Sequence, residues 1–374
     1  MQVLVTGATG FVGGRLVPAL VDAGHEVSVL VRDADRYDRP AVDGEPAVRV
    51  FEGDLLEPAT LEPALEGVDA AYYLVHAMGA GEGFERRDRR MARGFERVAS
   101  AAGVERVIYL GGLGAEGDRL SEHLRSRREV EQLLAAGTYA LTVLRAAVIV
   151  GAGSASFRMI RQLATRLPVM VTPKWIDTEC QPIAIDDVVA YLVGVLDAPE
   201  TAGGVYEVGG PEVLTYREML AETARIFEGR EPLIVPVPVL SPRLSAYWID
   251  LVTDVPASVA HPLIEGLVNP VVVTDRRIEA HVDVEPTPFA RALERALAAE
   301  RHGESPLTVE RSRNSRGTGT ESGGANTESS GADTGSGGAN TGSGGADTGS
   351  GGADTGSGGA DTGSGGADTG PGRR

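Results

Sequence analysis

The sequence of 374 residues contains one cysteine, Cys180, and one lysine, Lys174. A single cysteine excludes an internal disulfide and a metal site built from several thiolates, so we predict neither a metal centre nor redox chemistry at sulfur. No run of eighteen apolar residues occurs, which predicts no transmembrane helix. The chain enters a strand-like segment at its first residues, and we therefore expect a cytoplasmic protein.

Positive charge is also scarce, because the formal net charge is −18 and almost every basic residue is arginine. A surplus of carboxylates with little lysine is typical of salt-adapted proteins, which predicts a halophilic source. A GC-rich genome that prefers arginine codons would explain the scarcity of lysine but not the acidity. An acidic surface disfavours nucleic acid as a partner, since binding phosphates requires clustered cations.

Apolar residues nearly disappear in the segment 303–374, where Ala-Asp-Thr-Gly-Ser-Gly-Gly recurs every seven residues. The repeat lacks the apolar positions of a coiled coil and has no side chains to bury. A calcium-binding β-roll is the alternative, but its units are nine residues long and contain a large apolar residue. We therefore predict a disordered tail over 303–374.

Before that tail, short β-branched segments alternate with amphipathic ones. The alternation predicts repeated βαβ units, and hence a doubly wound parallel sheet with helices on both faces. The strands are predicted at 3–6, 26–31, 49–52, 70–75, 106–110 and 141–150, and the helices at 12–23, 58–66, 84–102 and 124–136.

The pattern is less regular after residue 150. Helices are predicted at 155–166, 187–196, 216–227 and 289–299, and strands at 205–208 and 233–237. We interpret residues 1–150 as a nucleotide-binding domain and 151–302 as the completion of the sheet with a small α/β cap. Ligands of open α/β sheets bind at the carboxyl edge, where such a cap would lie.

Three glycines, Gly7, Gly10 and Gly13, follow the first strand directly and open the first helix. The first permits a tight turn, the second lets the backbone approach a pyrophosphate, and the third lets the helix pack closely on the strand. The pyrophosphate would lie at the amino end of the helix. Their position between strand and helix predicts a dinucleotide site in a Rossmann-type domain.

The spacing Gly-x-x-Gly-x-x-Gly resembles that of extended and atypical short-chain dehydrogenase/reductases, especially the NmrA-like proteins and the complex I accessory subunits. Later segments continue the resemblance, including Gly53-Asp54-Leu55 and the strand that ends in Val75-His76. The resemblance implies cofactor contacts from Thr6, Gly7, Thr9, Gly10, Phe11, Val12, Gly13, Asp54, Leu55, Val75 and His76.

The end of the second strand bears on the choice of dinucleotide. An acidic residue there binds a ribose 2′-hydroxyl, whereas arginine suits a 2′-phosphate. Arg32 comes first and Asp33 follows. We predict that Arg32 contacts the cofactor and that NADP(H) is preferred, with NAD(H) left open.

The Tyr-x-x-x-Lys pair usual in this family is absent. The only lysine lies far from the corresponding place, where His123 stands at the tyrosine position and Arg127 at the lysine position. His123 could act as an acid, and Arg127 could hold the nicotinamide ribose. His76 is a second weak catalytic candidate, and for both histidines a packing role is the alternative.

Two functions remain open at this point. The chain is either an NAD(P)-dependent oxidoreductase or epimerase, or a non-catalytic NAD(P)H sensor or assembly protein, as the family resemblance implies. The segment 233–273 is rich in Pro, Val and Leu, and it could line an apolar substrate pocket, bind a protein partner, touch a membrane, or pack as a cap. Trp175 is interpreted as either a pocket wall or a core residue.

Overall fold

A computed structural model describes residues 1–42, 45–77, 83–114, 120–167, 169–172, 174–236 and 252–301. The predicted tail at 303–374 lies outside these residues. So does the middle of the segment 233–273.

The centre of the fold is a sheet of seven strands. Its strands are β1 (Gln2–Thr6), β2 (Glu26–Val31), β3 (Val48–Glu52), β4 (Ala70–Tyr73), β5 (Arg106–Gly112), β6 (Ala140–Ala146) and β7 (Val205–Val208). They lie in the order β7-β6-β5-β4-β1-β2-β3, and every neighbouring pair is parallel. The predicted fold class is confirmed.

The helices cover both faces of this sheet and build the cap. They are α1 (Gly13–Asp22), α2 (Glu62–Leu65), α3 (Phe84–Ala101), α4 (Glu122–Leu134), α5 (Ala155–Arg166), α6 (Ile185–Asp197), α7 (Tyr216–Glu228), α8 (Ala257–Gly266) and α9 (Phe289–Arg301). Single 3-10 turns occupy Pro58–Thr60, Lys174–Asp177, Pro199–Thr201 and Arg277–Ala280.

Alternation along the strands creates two cores, because successive side chains point to opposite faces. Val3 and Val5 of β1 pack with α1 and α6, whereas Leu4 packs with α3 and α4 on the other face. A third apolar cluster joins α5, α7, α8 and α9 beneath the cap. The cap therefore has a core of its own beside the sheet.

Short strand pairs supplement the main sheet. Two pairs are parallel, Ile149–Val150 with Ile183–Ala184 and Val169–Thr172 with Leu233–Pro236. Two are antiparallel, Glu179–Cys180 with Leu214–Thr215 and Ala41–Val42 with Glu45–Pro46. The strand predicted over 141–150 thus divides into two, because the chain leaves β6 after Ala146 and pairs with a different partner at Ile149.

The order of the strands reverses between β1 and β4, since the chain first builds outward through β2 and β3 and then returns to the other side of β1. Such a reversal leaves a crevice at the carboxyl edge of an open sheet, where ligands bind. The glycine segment 7–13 begins at this edge. Among the described helices, none combines the length and apolarity that a bilayer crossing requires.

Candidate functional site

A tight glycine turn joins β1 to α1. Gly7 has a φ of +78°, and its carbonyl accepts a hydrogen bond of 2.9 Å from the amide of Gly10. A Cβ atom at Gly7 would lie 2.9 Å from the carbonyl oxygen of Leu74, and one at Gly13 would lie 2.2 Å from the carbonyl oxygen of Gly7. A side chain at Gly13 would push α1 away from the turn, and one at Gly7 would collide with the backbone that follows β4.

The amino end of α1 is open to an anion. No described side chain caps its first turn, and the first turn contains no acidic residue. The helix dipole therefore places uncompensated partial positive charge at the turn. Arg15 fixes the backbone here, because its guanidinium donates to the carbonyl oxygens of Phe11 at 2.9 Å and Ala152 at 2.7 Å. Thr9 and Gly10 are exposed above this end.

Arg32 lies exposed directly after β2 and forms no hydrogen bond or ion pair with another described residue. Its neighbour Asp33 is engaged locally, since its carboxylate accepts a bond of 3.2 Å from the amide of Arg36. The guanidinium at this strand end is thus available to a ligand, whereas the adjacent carboxylate already binds backbone.

The segment after β3 forms a compact turn beside β2. A Cβ at Gly53 would lie 2.9 Å from the Leu30 side chain and from Thr60. The carboxylate of Asp54 accepts a bond of 2.9 Å from the amide of Leu56, and Leu55 is buried. Asp54 is half-buried, while Leu55 packs into the core.

Thr6 differs from the other predicted cofactor residues. Its side chain is buried and donates a hydrogen bond of 2.9 Å to the carbonyl oxygen of Tyr72. Thr6 therefore joins the ends of β1 and β4, and it acts on the crevice by holding this edge in shape. Val75 is half-buried just beyond β4.

His76, His123 and Arg127 lie close enough for their charges to interact. Burial and the nearby Arg127 lower the pKa of His123 to about 3, with a smaller contribution from His76. Desolvation lowers the pKa of His76 to about 4, and the charge of Arg127 adds to this effect. The residue nevertheless keeps an exposed surface. Both imidazoles are therefore neutral at neutral pH.

Arg127 is anchored from two sides. Its Nη2 donates to the carbonyl oxygen of Leu110 in β5, and its guanidinium carbon lies 5.0 Å from the centre of the Tyr109 ring. The Tyr109 hydroxyl donates to the Arg127 carbonyl oxygen at 3.1 Å. The Nη1 atom is buried and has no partner among the described residues. A fixed, unpaired donor of this kind suits an acceptor such as a ribose hydroxyl.

Asp88 holds the two histidine-bearing segments together, and sequence reasoning missed it. Its carboxylate accepts 2.7 Å from the amide of Ala77 and 3.1 Å from the hydroxyl of Ser126. Burial raises its pKa, and these bonds oppose the rise. A sequence signal existed, because position 88 falls on the apolar face of α3 with Phe84 and Met91.

A cavity of about 130 Å³ opens between the carboxyl ends of β5 and β6 and the cap. His123 and Gly112 lie at its sheet side, and Trp175, Leu220 and Ile264 belong to its cap side. Trp175 lines the cavity and also belongs to the buried apolar cluster beneath the cap, so both alternatives describe it, and its ring packs 6.3 Å from that of Tyr216.

A family model described as NAD(P)H-binding matches residues 7–150. The chain is 32% identical over 233 residues to (4-alkanoyl-5-oxo-2,5-dihydrofuran-3-yl)methyl phosphate reductase of Streptomyces griseus, with 60% of this chain and 73% of the relative covered. The chain belongs to the NAD(P)H-binding atypical short-chain dehydrogenase/reductases. The resemblance predicted from the glycine segment is confirmed.

A second relative and a solved structure add to this likeness. Ceramide reductase of Caulobacter vibrioides is 30% identical over 240 residues, covering 63% of this chain and 73% of the relative. Triphenylmethane reductase of Citrobacter sp., solved in complex with NADP(H), superposes with a TM-score of 0.62 at 19% identity, covering 79% of this chain and all of that one (100%). The fold of this chain is thus shared with a structure that contains the dinucleotide.

Proposed function

We propose that this chain is an NADPH-dependent reductase in which His123 donates a hydrogen bond to the oxygen of the reacting carbonyl. The observation that supports it most directly is the cluster of His76, His123 and Arg127 at the carboxyl ends of β4 and β5. His123 also lines the cavity, so one neutral imidazole of the cluster borders a space that a substrate could occupy. The reductase names of the relatives agree with this choice.

The crevice fits a dinucleotide. The uncapped end of α1 would hold the pyrophosphate, the unpaired Nη1 of Arg127 would bind the nicotinamide ribose, and Arg32 would bind a 2′-phosphate. Asp54 would lie at the adenine end, as the family resemblance implies. The open guanidinium of Arg32 favours NADP(H) over NAD(H), because Asp33 is already engaged with backbone.

When bound, NADPH supplies a hydride. Reduction of a carbonyl adds that hydride to carbon and one proton to oxygen. His123 stays neutral because its pKa is lowered to about 3, so its ring N–H would polarise the carbonyl through a hydrogen bond and keep its own proton. The proton that the carbonyl oxygen takes up would come from water, which reaches the cluster past the exposed His76. Arg127 cannot deprotonate, so its role is to orient.

The reaction is tested by NADPH oxidation with a panel of aldehydes and ketones. His123→Phe should lower kcat about 100-fold, the range expected on loss of a positioned hydrogen-bond donor to the developing oxyanion, while NADPH affinity by calorimetry stays unchanged. His281→Phe is the matched control, since His281 lies 3.7 Å from Glu200, away from the cluster.

NADPH binding without turnover of any carbonyl compound would favour the alternative function, a nucleotide sensor or assembly protein. The absence of the Tyr-x-x-x-Lys pair from the sequence is the observation behind that alternative. A sensor would also bind NADPH and NADP with clearly different affinities.

A further inference from the structure

The walls of the cavity come from one face of each of three cap helices. α5 contributes Met159, Ile160 and Leu163, and α7 contributes Leu220 one turn after Tyr216. The spacing of three and four residues places these side chains on a common face, and that face is the apolar one. The cap therefore encloses a cavity beside the sheet edge that its own side chains do not fill.

None of the residues that line this cavity is an Asp, Glu, Lys or Arg, among the part of the chain the structure describes. Charged residues make up 24% of the whole sequence, so their absence here is selective. A phosphate or carboxylate enclosed in this space would lose its hydration without gaining a counter-charge. The cavity thus disfavours sugar nucleotides, which carry a diphosphate, and favours an uncharged ligand.

Polar groups line both sides of the cavity. On the sheet side, His123 lies beside the carboxyl end of β5 at Gly112. On the cap side the Tyr216 hydroxyl is already hydrogen-bonded to the thiol of Cys180, and the buried Nε1 of Trp175 has no hydrogen-bond partner among the described residues. A ligand in this space therefore meets the His123 donor at the sheet edge and mostly apolar walls between α5, α7 and α8.

We propose that the substrate is an uncharged carbonyl compound with an apolar chain or ring, bound with its carbonyl at His123 and its apolar part between α5, α7 and α8. This inference rests on the proposed function for its orientation. An apolar cavity of about 150 Å³ in another protein core takes up benzene, so the space of about 130 Å³ is sufficient for a comparable group.

The test uses the full chain saturated with oxidised NADP, so that ketones bind without being reduced. Methyl ketones from butanone to dodecanone are titrated by calorimetry. Affinity should rise about fourfold for each added methylene until the cavity is full, and then level off. UDP-glucose should neither bind nor compete.

A pair of variants locates the effect. Leu220→Trp fills the cavity and should abolish the gain from the longer chains, while NADP affinity is retained. Val213→Trp adds the same ring on the surface, where Val213 is 45% exposed, and should leave the series unchanged. The wild-type series alone remains decisive if the Leu220 variant fails to fold.

The outcomes separate the two proposals. NADPH binding and carbonyl reduction with no dependence on chain length would overturn the substrate class and leave the reductase intact. Length-dependent ketone binding without any reduction would support the cavity assignment and contradict the reductase. Tight UDP-glucose binding in competition with ketones would overturn the substrate class directly.

Discussion

At the scale of single residues, Arg127 occupies the position at which the family resemblance implies a lysine. Arg127 is held by the Leu110 carbonyl and the Tyr109 ring, so its guanidinium plane is fixed before a ligand arrives. A guanidinium keeps its charge at any physiological pH and offers several donors in one plane. We therefore expect Arg127 to bind and orient a ribose but not to tune the acidity of a neighbour.

Arg32 sets the choice between dinucleotides in our proposal. Arg32→Ala should weaken NADPH binding about 10–100-fold, the loss expected for one or two charge-assisted hydrogen bonds to a phosphate, and should leave NADH binding unchanged. Calorimetric titration with both nucleotides measures the difference.

The control for Arg32 is Arg49→Ala. Arg49 is another exposed arginine, but it bonds to the Gln2 side chain at 3.3 Å near the beginning of β1, away from the carboxyl edge. An equal loss of NADPH and NADH affinity in the Arg32 variant would show that this residue does not recognise the 2′-phosphate.

At the scale of elements, α3 connects the segment after β4 to α4. Asp88 provides this connection through the Ala77 amide and the Ser126 hydroxyl, and α4 carries both His123 and Arg127. The distance between the two histidines thus depends on a residue that contacts neither ring. Asp88 is a positioning residue rather than a catalytic one.

Asp88→Ala should separate these segments. Two buried donors lose their acceptor, which should lower the free energy of unfolding by about 2–4 kcal/mol. Among the molecules that remain folded, kcat should fall while KM for NADPH changes little. Chemical denaturation and steady-state kinetics measure the two effects.

Rescue by the conservative variant distinguishes positioning from bulk stability. Asp88→Asn keeps an oxygen that accepts from the Ala77 amide, so it should recover most of kcat. If Asp88→Asn and Asp88→Ala lower kcat equally while differing in stability, the role of the Asp88 carboxylate is not limited to holding the segment after β4 in place.

The limits of the sequence prediction are also clearest at this scale. The bounds of α5 and β7 agree with the predicted 155–166 and 205–208, because strong periodicity coincides with clear chain breaks. α8, at Ala257–Gly266, was not predicted, since it contains Pro262 and lies in a segment rich in proline and valine. Its position is decided by packing against the cap, which local propensity does not encode.

Asp88 and the cavity illustrate the same limit for the site. The glycine turn and the strand ends follow from local spacing, so the predicted cofactor residues meet at one sheet edge. The bond from Asp88 to Ala77 joins positions that only the packing of α3 brings together. The predicted roles of these site residues remain predictions.

At the scale of the whole molecule, the neutral histidines make folding sensitive to acid. The pKa of His123 is about 3 in the folded chain and about 6.5 in an unfolded one. Between about pH 3 and pH 6.5, His123 is protonated in the unfolded chain but neutral in the folded chain. The free energy of unfolding should therefore fall as pH drops below 6.5, by up to about 1.4 kcal/mol per pH unit for this residue.

Urea denaturation between pH 7 and 5 measures this slope. His123→Gln should make it shallower, because the glutamine does not titrate. His281→Gln is the matched comparison for removing a histidine elsewhere. An identical slope in wild type and His123→Gln would mean that His123 takes up its proton in the folded state.

The uncharged walls of the cavity imply that the two halves of the site respond differently to ionic strength. Dissolved ions screen the attraction between phosphates and the guanidinium groups at the crevice, so the dinucleotide binds less tightly as salt rises. They do not weaken the transfer of an apolar chain out of water, and strongly hydrated anions such as sulfate promote it. Concentrated salt would therefore shift the balance of binding from the cofactor toward the substrate.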